Sequence, residues 1–169
     1  MLRQPSTVRI RVGLPADAAD LAIVCRESWR LAYAGLLPET HLARLIATRT
    51  PAWWAGAARS SGGIVALDVG GKLAGYATCG RARNRSRYQG EIFELYLAPT
   101  YQGLGFGEHL FEACRARLDR KGLNGLLVWA LTDNAHACQF YWSRGGRPVA
   151  TAMETFDRQR IAKTAFGWP

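Results

Sequence analysis

The chain is short of cysteine, short of acids relative to its bases, and without a long hydrophobic run, and each shortage removes a class of function. Its four cysteines, Cys25, Cys79, Cys114 and Cys138, stand far apart and form no C-x-x-C pair. That spacing indicates neither a metal centre nor a disulfide framework, and it fits a reduced, cytoplasmic protein. No apolar run approaches the roughly 20 residues of a membrane-spanning helix. The opening Met1-Leu2-Arg3-Gln4-Pro5 lacks the apolar stretch of a secretory leader. No linker, internal repeat or low-complexity segment divides the 169 residues, of which 49% are hydrophobic. One domain over residues 1–169 with a real core is the expectation.

The charge is lopsided: 22 Lys and Arg against 13 Asp and Glu give +9. A basic balance raises nucleic acid as a partner. The bases are mostly dispersed, however, and the aromatics do not interleave with them as a single-strand stacking platform requires. No helix carries a basic recognition face, so a nucleic-acid-binding protein is the lesser alternative. The one dense tract, Arg81-Ala82-Arg83-Asn84-Arg85-Ser86-Arg87, falls between two strand-like runs and reads as a solvated loop. Contact with an anionic ligand is its second reading.

Periodicity then supplies the elements. Residues 8–12 alternate as a strand. Pro15 and Asp17 start a helix whose apolar positions, Ala18, Leu21, Ala22, Cys25, Trp29, Ala32 and Tyr33, recur at helical spacing. After a break at residues 35–38, residues 39–47 read as a second helix, and Pro51 opens a third. Residues 63–69 and 72–79 form strands joined at Gly70-Gly71, a tight hairpin signal. Residues 91–97 are strand-like, 109–118 helical, and 126–131 a buried strand. A helix follows, capped by Asp133 or Asn134 and ended by Gly145-Gly146. Residues 147–153 and 161–166 close the chain as an antiparallel pair. Hairpins first and strand–helix alternation later predict an α/β fold. Its centre is a mixed, mostly antiparallel sheet of about seven strands with helices on both faces.

The chain is organised around Tyr101-Gln102-Gly103-Leu104-Gly105-Phe106-Gly107-Glu108, between the strand at 91–97 and the helix at 109–118. Glycine at alternate positions lets backbone N–H groups approach a ligand, because no Cβ intervenes. The following helix adds unpaired N–H groups and the positive end of its dipole, so the loop suits a phosphate or pyrophosphate. A dinucleotide fingerprint fails, since Glu108 or Leu110 stands where its third glycine belongs. A nucleoside-triphosphate loop fails too, since Glu108 and His109 follow Gly107 in place of Lys-Ser/Thr. What fits is Q-x-x-G-x-G at Gln102, Gly105 and Gly107. Downstream, Asn134, Ala137, Phe140, Tyr141 and Gly145 make N-x-x-A-x-x-F-Y-x-x-x-G.

Those two motifs, in that order and separation, resemble the Gcn5-related N-acetyltransferases. The resemblance implies an acyl-CoA N-acyltransferase fold and transfer of acetyl from acetyl-CoA to a primary amine by direct transfer in a ternary complex, without a metal. It implies that the backbone of Leu95, Tyr96 and Leu97 pairs with the pantetheine arm. The backbone of Gln102, Gly103, Leu104, Gly105, Phe106, Gly107 and Glu108 would hold the pyrophosphate. Asn134 would bond to the CoA arm, and Tyr141 would stand by the sulfur as general acid. Glu91, eleven residues before Gln102, has the offset of the base in histone-acetylating members and is the first choice. Glu94 is the rival, on the opposite face unless a bulge changes the parity. Trp29 and Tyr33, with a following Gly35-Leu36-Leu37-Pro38 and a closing Phe166-Gly167-Trp168, resemble one branch of the family in which this region flanks the acceptor cleft. Trp29 also reads as core. A non-catalytic acyl-CoA sensor is the second alternative, against which Tyr141 and Asn134 weigh. The acceptor is left open among polyamine, amino acid, aminoglycoside-like drug and protein amine. A homodimer is left open as well, with Trp53 and Trp54 as core or interface.

Overall fold

The computed structural model describes residues 7–60 and 63–169; the opening pentapeptide lies outside them. β1 (Val8–Val12) runs into a 3-10 turn, Pro15–Asp17, and α1 (Ala18–Tyr33). Asp17 fixes that entry, its carboxylate accepting from Leu14 N at 2.7 Å. Arg11 of β1 ties the turn to the sheet, donating to Asp17 at 2.7 Å and to Asp68 at 2.7 Å. The guanidinium holds the Asp17 carboxyl below its ordinary value.

α1 buries Leu21, Val24, Cys25, Ser28 and Trp29, the three-and-four spacing of one helix face. α2 (Glu39–Thr48) and α3 (Pro51–Arg59) follow, and the Thr50 hydroxyl caps α3 by accepting from Trp53 N at 3.1 Å. β2 (Val65–Val69) and β3 (Lys72–Arg81) are joined at Gly70 and Gly71, both at positive φ as the tight turn requires. Then come β4 (Gly90–Leu97), α4 (Phe106–Arg120), β5 (Leu126–Leu131), α5 (Ala135–Ser143), β6 (Arg147–Phe156) and β7 (Gln159–Trp168). α4 starts three residues before the periodicity suggested, its first turn being Phe106-Gly107-Glu108 with Gly105 as the N-cap. β6 and β7 also run longer than expected. β6 is the outer strand and mostly exposed, so little of its length carries a burial pattern.

The strands order as β1-β2-β3-β4-β5-β7-β6, and only β4–β5 is parallel. The sheet is therefore mixed and mostly antiparallel, with helices on both faces. One core joins α4 and α5 to the sheet through Leu110, Phe111, Cys114 and Tyr141 against Ile92, Val128, Phe166 and Trp168. The other joins α1–α3 through Leu21, Cys25, Trp29 and Trp54 against Tyr76. Trp54 is fully buried and Trp53 half exposed beside it.

Two irregularities in β4 position everything that follows. Its parallel pairing with β5 covers only Gly90–Ile92 against Leu126–Val128, after which no β5 residue pairs with it. In its pairing with β3, Thr78 faces Glu94 and Cys79 faces Ile92, which leaves Phe93 extruded as a bulge.

Candidate active site

Where β4 leaves β5, two cavities open. The first, about 420 Å³, is walled by Leu95, Tyr96 and Leu97 of β4, the glycine loop, and Asn134, Phe140 and Tyr141 of α5. Ser28, Leu31 and Ala32 of α1 close it.

The glycine loop reaches this cavity through backbone that needs glycine. Gly103 and Gly105 have φ of 73° and 84°, and a Cβ on either would meet no atom within 4 Å. They face open space at the start of α4, whose first turn presents unpaired N–H groups. Gln102 and Glu108 also line the wall. Gln102 fastens the loop to the strand end, its side-chain amide donating to Leu97 O at 3.0 Å. Leu104 and Phe106 do not line it, so these two expected binding residues have only backbone to offer. The Leu104 side chain is 64% exposed, and Phe106 packs edge-on against Tyr101.

Arg144 lies on the same wall and was missed by the sequence reading, which passed over it inside the second motif. Its guanidinium pairs with Glu108 at 2.6 Å and lies over the Phe140 ring. The carboxylate nearest the loop is thus matched by a cation. Asn134 serves as the α5 cap, its side-chain oxygen accepting from Ala137 N at 3.2 Å, and still lines the cavity. Tyr141 is buried against Phe111, Phe166 and Trp168. Burial pushes its phenol up well above the ordinary value.

The second cavity, about 450 Å³, lies on the α1–α3 face. Trp29, Tyr33, Phe93, Tyr96, Trp129 and Phe156 give it aromatic walls. Tyr96 lines both cavities and marks where they adjoin. Its hydroxyl is hydrogen-bonded to that of Tyr33, and burial raises the pKa of both phenols. Trp29 is largely buried yet contributes to this wall, so core and cleft are not exclusive for it.

The two candidate bases separate here. Glu94 lines the second cavity, where Arg49 pairs with it at 3.1 Å and the Thr78 hydroxyl donates to it at 3.3 Å. Arg49 is itself stacked over Trp53, 4.0 Å from the ring centre, and close to Trp29 and Trp54. Glu91 is 2% exposed and is not part of either wall. It is enclosed by Arg83, whose side chain pairs with it at 2.6 Å and whose backbone N–H donates to it at 3.0 Å. The preference for Glu91 over Glu94 therefore does not fit the geometry. The loop at 81–87 is also less free than its composition suggested: Arg83 is bound to Glu91, and Arg87 donates to the Tyr88 hydroxyl at 2.7 Å.

Two charged residues of this cavity escaped the sequence reading. Glu154 of β6 and Lys163 of β7 pair at 3.2 Å on its wall, with the Lys163 ammonium over Trp129. Nothing local marks them; only the hairpin's position across from β4 does. Among the described residues, no group of three or more His, Cys, Asp or Glu is placed to hold a metal ion. No helix among them is long and apolar enough to cross a membrane.

Comparison with known proteins finds relatives in sequence and in fold. The uncharacterized N-acetyltransferase YuaI of Bacillus subtilis (strain 168) is 29% identical over 164 residues, covering 96% of this chain and 93% of that protein. The PaiA N-acetyltransferase of Thermoplasma acidophilum, solved in complex with coenzyme A, shares the fold at TM-score 0.73 and 21% identity. The match covers 93% of this chain and 98% of that one. YncA of Salmonella typhimurium, solved with acetyl-CoA, matches at TM-score 0.69 and 18% identity over 96% and 94% of the two chains. The profile of the acetyltransferase (GNAT) family matches residues 25–146. The chain belongs to the acetyltransferase (GNAT) family.

Proposed function

We propose that the chain is a single N-acetyltransferase domain over residues 1–169 that moves an acetyl group from acetyl-CoA to a primary amine. The carrying observation is the pair of cavities at the parted β4–β5 seam, which share Tyr96 as a lining residue. The first fits the acyl donor: an unpaired strand edge at Leu95–Leu97, an open glycine cradle at a helix N-terminus, and Arg144 beside it. Relatives of this fold that hold coenzyme A or acetyl-CoA support the same reading.

Bound acetyl-CoA supplies an activated acyl carbon: a C–N bond forms and the C–S bond breaks, one proton leaves nitrogen, and one reaches sulfur. Tyr141 lines the donor cavity and remains a protonated phenol at neutral pH, so it can donate to a thiolate as charge develops. Glu94 faces the other cavity and accepts from the amine, taking its proton directly or through water. Asn134 and the glycine loop orient the donor. Tyr96 and Trp29 shape the acceptor's approach, and the aromatic walls exclude water. A sensor without turnover would not require an acid on one wall and a carboxylate on the other.

The test is isothermal titration of acetyl-CoA and CoA into wild type and Gly105→Arg, followed by a thiol-release assay with amines. Micromolar binding that the variant loses, with amine-dependent CoA release, is the expected result. Absence of binding by folded wild type overturns the reading. Binding without release by any amine leaves the sensor in its place.

A further inference from the structure

Resting on the reading of the second cavity as the acceptor site, we propose that the acceptor is a free amino acid with an apolar or aromatic side chain. The observation is the charge pattern of that cavity. The protein as a whole is +9, yet this wall carries two acids and two bases, Glu94 and Glu154 against Arg83 and Lys163. Each is already paired to the protein: Arg83 to Glu91, Glu94 to Arg49, and Lys163 to Glu154. Pairing holds the groups in place without exhausting them. A lysine ammonium has three donors and an arginine five, whereas the contacts above use fewer, and a carboxylate accepts about four hydrogen bonds.

The signs are arranged for a molecule bearing both charges. Glu94 lies on the same face of β4 as Tyr96, two residues away, so an amine at Glu94 stands next to the donor cavity. Arg83 lies over the Phe93 ring, the residue adjoining Glu94, with its guanidinium centre 5.0 Å from the ring centre. Both Glu94 and Glu154 act electrostatically on Arg83, raising its pKa after the dominant contact with Glu91. A carboxylate on the acceptor therefore meets Arg83 or Lys163 of the same cavity, while its amine is held by Glu94.

The alternatives fit less well. A polyamine seated with one ammonium at Glu94 would have to put the next in a cavity that also holds Arg83 and Lys163, where like charges repel. A peptide N-terminus brings an amide instead of a carboxylate and would leave those cations without a new partner. The remaining wall is largely aromatic, with Trp29, Phe93, Trp129 and Phe156, which suits an apolar side chain. The transfer balances as above: the acceptor's N–H is replaced by N–acetyl, and CoA leaves as the thiol.

The experiment measures CoA release from acetyl-CoA with L-phenylalanine, L-tryptophan and L-methionine. Their controls are the decarboxylated amines phenethylamine and tryptamine, L-phenylalaninamide as a stand-in for a peptide N-terminus, and spermidine. The amino acids should exceed every control at least tenfold in kcat/KM. In Arg83→Gln that ratio should collapse through KM for the amino acids. Because this variant uncovers Glu91, the Glu91→Gln/Arg83→Gln double variant and Lys163→Gln are read beside it, with thermal melts to show that each is folded. Equal or better turnover of spermidine, phenylalaninamide or the decarboxylated amines overturns the proposal and leaves the acetyltransferase reading standing. Acetyl-CoA binding with no turnover of any amino acid also overturns it. Failure to bind acetyl-CoA at all removes the acetyltransferase reading beneath it.

Discussion

Glu91 and Glu94 project to the same face of the sheet although they are three residues apart on one strand. Glu91 pairs with Gly80 and Glu94 with Thr78, which share a face of β3, because the extruded Phe93 adds one residue to the count. One carboxylate is then sealed under Arg83, and the other opens on a cavity. Glu94→Gln should lower kcat/KM for the amine by about tenfold or more, with a loss of stability from the Arg49 pair no larger than that of Glu91→Gln. Glu91→Gln should cost about 1–3 kcal/mol in urea unfolding with kcat close to wild type. A swapped assignment would invert the kinetic half of this pattern.

Tyr141→Phe keeps the ring that packs on Phe111 and Trp168 and removes only the hydroxyl. Its kcat should fall about a hundredfold, with little change in the affinity for acetyl-CoA. Since burial raises this phenol's pKa, the wild-type rate should show no alkaline loss from Tyr141 below about pH 10. A pH–rate profile of kcat checks both statements.

Gly105 separates backbone strain from site filling. A methyl there meets nothing within 4 Å, but the residue's φ of 84° belongs to the left-handed region. Gly105→Ala should therefore lose about 1–2 kcal/mol of stability and still bind acetyl-CoA. If alanine abolished binding as arginine is expected to, the loop's shape and not its open space would be what the ligand reads.

At the mouth of the donor cavity Arg144 and Glu108 oppose each other, and their replacements should act with opposite sign. Arg144→Gln should weaken CoA binding about tenfold, an effect that shrinks as salt rises. Glu108→Gln should tighten it modestly, by freeing Arg144 and removing a negative charge from the first turn of α4. Titration calorimetry at two ionic strengths reads both.

The Arg11 cluster predicts an acid limit. The Asp17 carboxyl has a lowered pKa in the fold, so its contribution is complete above the unfolded value near 3.9 and is lost as pH falls through the folded value. Arg11→Met should cost about 2 kcal/mol near neutrality and should flatten the decline below pH 4. Urea midpoints between pH 3 and 7 measure it.

The glycine loop, the hairpin turn at Gly70-Gly71 and a cap at Asp133 or Asn134 were legible because local chemistry fixes them: positive φ selects glycine, and a helix start selects a side-chain acceptor. The Phe93 bulge was not, since it exists only relative to the register of β3, and no residue type in 90–97 announces it. Neither were Glu154, Lys163 and Arg144 readable as site residues. They lie well beyond β4 in the sequence, and the β5–β7 and β7–β6 pairings bring the first two to the wall. The preference for Glu91 over Glu94, taken from offset, does not fit the structure for the same reason, as counting along a strand misses an extra residue.

The parting of β4 from β5 has a consequence for inhibition. The two cavities share a single lining residue, Tyr96, so on the proposed function a compound that joins donor and acceptor need pass only that residue. Tethering the halves makes the second contact intramolecular, and the gain is set by linker length and not by new surface. A short link would suffice, and a much longer one would gain little.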